Sequence, residues 1–90
     1  MAVLSFLTGI VVITPNALDK LTPADVQRGM QRHQADDWGD LGAADWKEND
    51  AALHAGLRLL SAYRSASGVT FWVITEADRS ATTLLLPGDY

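Results

Sequence analysis

Glu76, Asp78 and Arg79 fall within four residues, between the apolar stretches 71 to 75 and 81 to 87. Two carboxylates divide acid and base work only where burial separates their proton affinities. A reversal between two strands offers little burial. The expectation is therefore a turn braced by a local ion pair, with a partner-binding tip, or an arginine fixing a structure elsewhere, as the alternative. His33, Asp36, Asp37 and Asp40 form a second group with the donor types of a metal site. Their spacing matches neither HExxH nor the EF-hand loop, so no metal and no cofactor is expected. The chain has no cysteine, which removes disulfides, thiolate zinc sites and cysteine nucleophiles. No serine stands in a nucleophile-elbow context that could pair with His33 or His54. His33 is expected on the apolar side of a helix. His54 is expected near a helix end, where the dipole favours an imidazolium. The residues point away from an enzyme. A small enzyme using Glu76, Asp78 or His33 is the weaker alternative, and it would need a deep pocket holding these groups.

Charge supplies a second kind of candidate. Residues 36 to 50, DDWGDLGAADWKEND, hold Asp36, Asp37, Asp40, Asp45, Glu48 and Asp50 against Lys47 alone, a local charge of −5. The remaining chain has five acids and six bases, so the net −4 of the protein resides in this segment. Nucleic-acid binding needs a basic footprint, and none is present. An acidic segment is either a solvated face or a surface for a basic protein partner. Trp38 lies inside it. The indole either folds the loop down as a plug or anchors a partner.

The elements that must hold these groups can be read along the chain. The apolar opening MAVLSFLTGIVVITP lacks a basic n-region and a small-residue cleavage pattern, and reads as strand-like. Residues 10 to 14, IVVIT, are β-branched and predict a buried strand ended by Pro15. Asn16 suits the cap of a short helical turn. Thr22, Pro23 and Asp25 mark a helix start over TPADVQRGMQRHQ. Val26, Met30 and His33 share one face of it, and Gly29 leaves room for a close neighbour. A second helix is expected from about Ala43 to His54, with Trp46, Asn49 and Leu53 on one face and Gly56 just beyond. LRLLSAYR, VTFWVIT and TTLLLP alternate as strands, with Trp72 expected in the core.

Ninety residues, 48% hydrophobic and 20% charged, make one globular domain, 1–90. The expected class is α+β: an antiparallel sheet of three to four strands with two helices on one face, in the order β-α-α-β-β-β. A short helical turn follows the first strand. No apolar run reaches the ~18 residues of a membrane span. The lack of cysteine fits a reducing cytoplasm.

The segments VVITPNAL, RHQADDWGDL, NDAALHAGLRLLSAY and WVITEADRSATTLLLPGDY resemble a family of short proteins of unassigned activity carried by plasmids and other mobile elements. Members are often labelled "plasmid-related protein", or as a type I restriction subunit. The second label implies a glycine-rich cofactor domain of far greater length, which this chain lacks. In the family pattern a glycine precedes Asp-Trp-Gly, where this chain has Asp36. The resemblance implies a mobile-element setting. By association, it implies an inhibitor of a host defence complex, of the anti-CRISPR kind, with a plasmid maintenance factor such as an antitoxin or regulator as the alternative.

Overall fold

The computed structural model describes residues 5–90. The first four residues of the apolar opening lie outside the described residues. The order is β1 (Ile10–Ile13), α1 (Pro15–Lys20), α2 (Pro23–Gln34), α3 (Ala43–Ala55), β2 (Leu59–Arg64), β3 (Thr70–Thr75) and β4 (Ala81–Leu85), then a 3₁₀ turn, Pro87–Asp89. The chain is α+β, with three helices rather than two, the short turn after β1 being a full element.

The three C-terminal strands form the expected antiparallel meander. The sheet as a whole is mixed, however. Its order is β1-β4-β3-β2, and β1 runs parallel to β4. β1 was also expected to be buried, but it is an edge strand with Ile10, Val11 and Val12 exposed. A short apolar run carries no mark that separates a central strand from an edge one.

Alternation in the strands sets one face. Tyr63 of β2, Phe71 and Val73 of β3 and Leu84 of β4 pack with Ala17 of α1 and with Leu21, which caps its C-terminus, and Val26 and Met30 of α2 lie against them. Thr22 and Asp25 close a capping box at the start of α2. The second Asp25 oxygen accepts from the Ala66 amide, tying the helix start to the β2–β3 turn. Gly29 is obligatory here, because an added Cβ would lie 2.8 Å from the Phe71 ring. Trp72 points to the other face, half-buried against Tyr90 at a centroid distance of 5.7 Å.

α3 does not cover that helical face. It lies along the β2 edge, where Asn49 donates to the Leu60 carbonyl and accepts from its amide. Residues 38 to 40 seal the rest of the edge. The Ala62 amide donates to the Trp38 carbonyl, and the Asp40 amide donates to the Ala62 carbonyl. Only glycine fits between them: Gly39 has φ +78, and a Cβ would sit 2.0 Å from the Ala62 oxygen.

Candidate functional site

α2 ends in a Schellman turn. The Asp36 amide donates to the His33 carbonyl and the Asp37 amide to the Arg32 carbonyl. Asp36 takes the left-handed position, φ 63, which glycine usually fills. Arg32 holds Asp37 with two bonds, the shorter 2.7 Å, and lies over the Tyr63 ring. The Tyr63 hydroxyl donates to the Asp37 carbonyl. The bond from Arg32 keeps the Asp37 carboxyl below its usual range.

This turn drives Trp38 inward. Its side chain is fully buried, 0% exposed, and its Nε1–H donates to Asp50 at 2.9 Å. Trp38 is therefore the plug of the loop, and its reading as a surface anchor for a partner is corrected. Phe6 stacks on it, and the rings of Phe6 and Trp38 both meet His33 edge-on.

His33 is enclosed as well, and its two nitrogens bond to hydroxyls from the sheet. The direction of these bonds can be fixed from one end. Thr82 must donate to the Thr8 carbonyl, 2.8 Å, because a carbonyl only accepts. Thr75 then donates to Thr82, 2.7 Å. With its proton committed, Thr75 accepts from His33 Nε2–H, 2.8 Å. Nδ1 is left bare and accepts from Ser61. The ring is a neutral Nε2–H tautomer in a satisfied chain. Burial, with the Arg79 charge as a lesser cause, pushes its pKa down to about 4.

The acidic segment is thus divided. Asp37 and Asp50 hold the loop, and Asp36 accepts from the Ser5 hydroxyl. Asp40, Asp45 and Glu48 are exposed and make no ion pair among the described residues. Asp45 and Glu48 stand on one wall of a groove of about 680 Å³ between α3 and the start of β2. Leu41, Ala52, Leu57 and Leu60 give it an apolar lining, and Asn49, Arg58 and Ala77 complete it. Spacing within the sequence gave no sign of this groove, because its walls are 36 residues apart between Leu41 and Ala77.

Ala77 belongs to the β3–β4 turn, so the structure brings both sequence candidates to one place. Glu76 and Asp78 are exposed, and hydrogen bonds from the Ser80 side chain and then the Ser80 amide lower the carboxyl pKa of Asp78. Arg79 pairs with neither acid among the described residues. It donates instead to the carbonyls of Leu57, Glu76 and Ala77, the first at 2.8 Å. It adopts φ 61 and rests 5.7 Å from the Phe6 ring. The side chain clamps the turn to the groove rim. Arg79→Ala is expected to lower stability by about 1–2 kcal/mol, the range for charge-assisted bonds reduced for exposure. Urea unfolding measures it. Unchanged stability with lost partner binding would make the tip a contact surface.

Among the described residues, no three His, Cys, Asp or Glu side chains are placed to hold a metal ion, and no helix is long and apolar enough to cross a membrane. Compared with protein-family models, curated proteins and solved structures, the chain matches none of them.

Proposed function

We propose that the chain is a non-catalytic interaction protein of a mobile genetic element, acting in anti-defence as an anti-CRISPR-type inhibitor does. It docks on a basic protein surface through the α3 groove. The observation that carries the docking claim is the groove itself: Asp45 and Glu48, without an ion pair among the described residues, beside an apolar lining, with Asp40 next to it. This pattern suits a segment presenting Lys or Arg beside apolar side chains. The mobile-element setting rests on the resemblance of the four quoted segments, and the inhibitor role on that setting. The non-catalytic reading is supported by the enclosure of His33, whose nitrogens are both engaged.

Unpaired exposed acids steer a basic partner, and salt screens them over about 8–10 Å. Reversing Asp40, Asp45 and Glu48 to lysine is therefore expected to slow association at least about tenfold at low salt. The fold should survive, since none of the three holds a side-chain bond among the described residues. Pull-down from host lysate identifies the partner, and stopped-flow mixing with it at low and high salt reads the rate. Equal rates for both proteins at both salt levels would sink the docking claim.

A further inference from the structure

The two edges of the sheet are treated oppositely. The β2 edge is closed by Asn49 and by the Trp38 and Asp40 backbone. On β1, the amides of Ile10 and Thr14 donate inward to Ser80 and Leu84 of the β4 side. The two-residue strand period turns the amide and carbonyl of Val11 and Ile13 outward. They carry no hydrogen bond among the described residues. Ile10, Val11 and Val12 are 72%, 46% and 45% exposed, and no charge or proline guards the strand.

We propose that β1 pairs antiparallel with β1 of a second copy, about a two-fold axis through Val12, joining two four-stranded sheets into one of eight. The outward residues then face each other in register. Val11 N–H donates to the partner copy at Ile13, Ile13 N–H donates to it at Val11, and symmetry doubles both to four bonds. Val12 meets Val12, and Ile10 meets Thr14. Pro15 has no N–H, so the ladder stops there.

Charge does not oppose a second copy as the occupant, and the apolar, uncharged edge matches one. Asp40 and α3 are bonded to β2, at the far side of the sheet. Pairing at β1 holds the two acidic segments apart by seven strand spacings, roughly 34 Å. That is about four Debye lengths at physiological salt, so their repulsion is screened. A basic partner is drawn to the opposite edge. β1 itself offers only backbone and apolar side chains, which a copy of itself matches. The site is independent of the α3 groove, and the Asp40, Asp45, Glu48 reversal should leave it unchanged.

Sedimentation of the full chain from about 5 to 500 µM covers the weak range expected of so short an edge. The expected mass rises from one chain to two. Val12→Lys and Val12→Asp should each remain at one chain mass, because the axis sets position 12 against itself. An equimolar mixture of the two should recover the double mass, which a misfolded variant could not do. Val11→Pro removes an outward N–H without touching the β4 ladder, and it should also abolish pairing. Amide exchange gives a second reading: Val11 and Ile13 lose protection on dilution, while Ile10 and Val12 keep it. Wild type at one chain mass at the highest concentration would overturn the pairing and leave the edge for a strand of another protein. A dimer that persists in both Val12 variants, or a mixture that stays monomeric, would also overturn it.

Discussion

Trp38→Ala is expected to destabilise the fold by about 3–5 kcal/mol, the range for truncating a buried tryptophan. The side chain is fully enclosed, stacks on Phe6 and meets His33 edge-on. Its removal leaves a void at the junction of the N-terminal segment, α2 and the β2 edge. It also strands the Asp50 carboxylate without the indole N–H. A domain of this size has only about 5–13 kcal/mol in total, so the loss is a large fraction. Trp38→Phe keeps most of the ring packing and gives up the Asp50 bond, so it should cost about 1–2 kcal/mol. Urea unfolding followed by far-ultraviolet circular dichroism, a signal common to all three proteins, gives both values. A loss under about 1 kcal/mol for the alanine variant would mean that the indole is not the plug that the structure shows.

The same residue marks where sequence reasoning stops. An indole between Asp37 and Gly39 in an acidic loop reads as a plug or, less readily, as a surface anchor. Its partners decide the matter, and they lie in Phe6, His33 and Asp50. Local signals did better. Thr22 with Asp25 announced the start of α2, and alternation found the meander. Gly29 foretold the close approach that Phe71 makes, and Gly56 ends α3 at φ 70. Non-local facts were out of reach. The parallel pairing of β1 with β4 joins residues 71 positions apart, Ile10 with Ala81, and no periodicity encodes it. Asn49 was placed on the correct face of its helix, but its use as a cap on the β2 edge needed the strand in place. The His33 chain had one detectable trace. Ser61, Thr75 and Thr82 are hydroxyl residues at inward positions of otherwise apolar strands, and a buried hydroxyl requires a partner. His33, on the apolar face of α2, was the candidate.

Acid should therefore unfold this protein through His33 before its carboxylates contribute. In the unfolded chain an imidazole titrates near 6.5, whereas in the fold His33 titrates at about 4. The unfolded state binds the extra proton throughout that window, so stability is full above about pH 6.5 and falls as pH drops toward 4. The slope approaches about 1.4 kcal/mol per pH unit, for a total loss of roughly 3 kcal/mol. Burial is the main reason the fold resists the proton, and the Arg79 charge adds to it. Protonated Nδ1 would have to donate to Ser61, which now donates to it. The Nε2 side is unchanged, because Thr75 already accepts there while its own proton serves Thr82 and ultimately the Thr8 carbonyl. The carboxylates act in a separate window. Asp25, Asp37, Asp78 and Asp89 are all lowered from 3.8, so their contribution is lost only as pH falls below about 4. His33→Gln cannot acquire charge, and its amide N–H can take the Nε2 role toward Thr75. The variant is expected to be weaker at pH 7 by about 1–3 kcal/mol, through lost packing against Phe6 and Trp38. Between pH 6.5 and 4 its stability should fall much less steeply than that of the wild type. Urea midpoints at four pH values across this range give both slopes. Parallel slopes would show that His33 is not the proton-linked group, and the polarised chain from Ser61 to Thr8 would lose its energetic meaning.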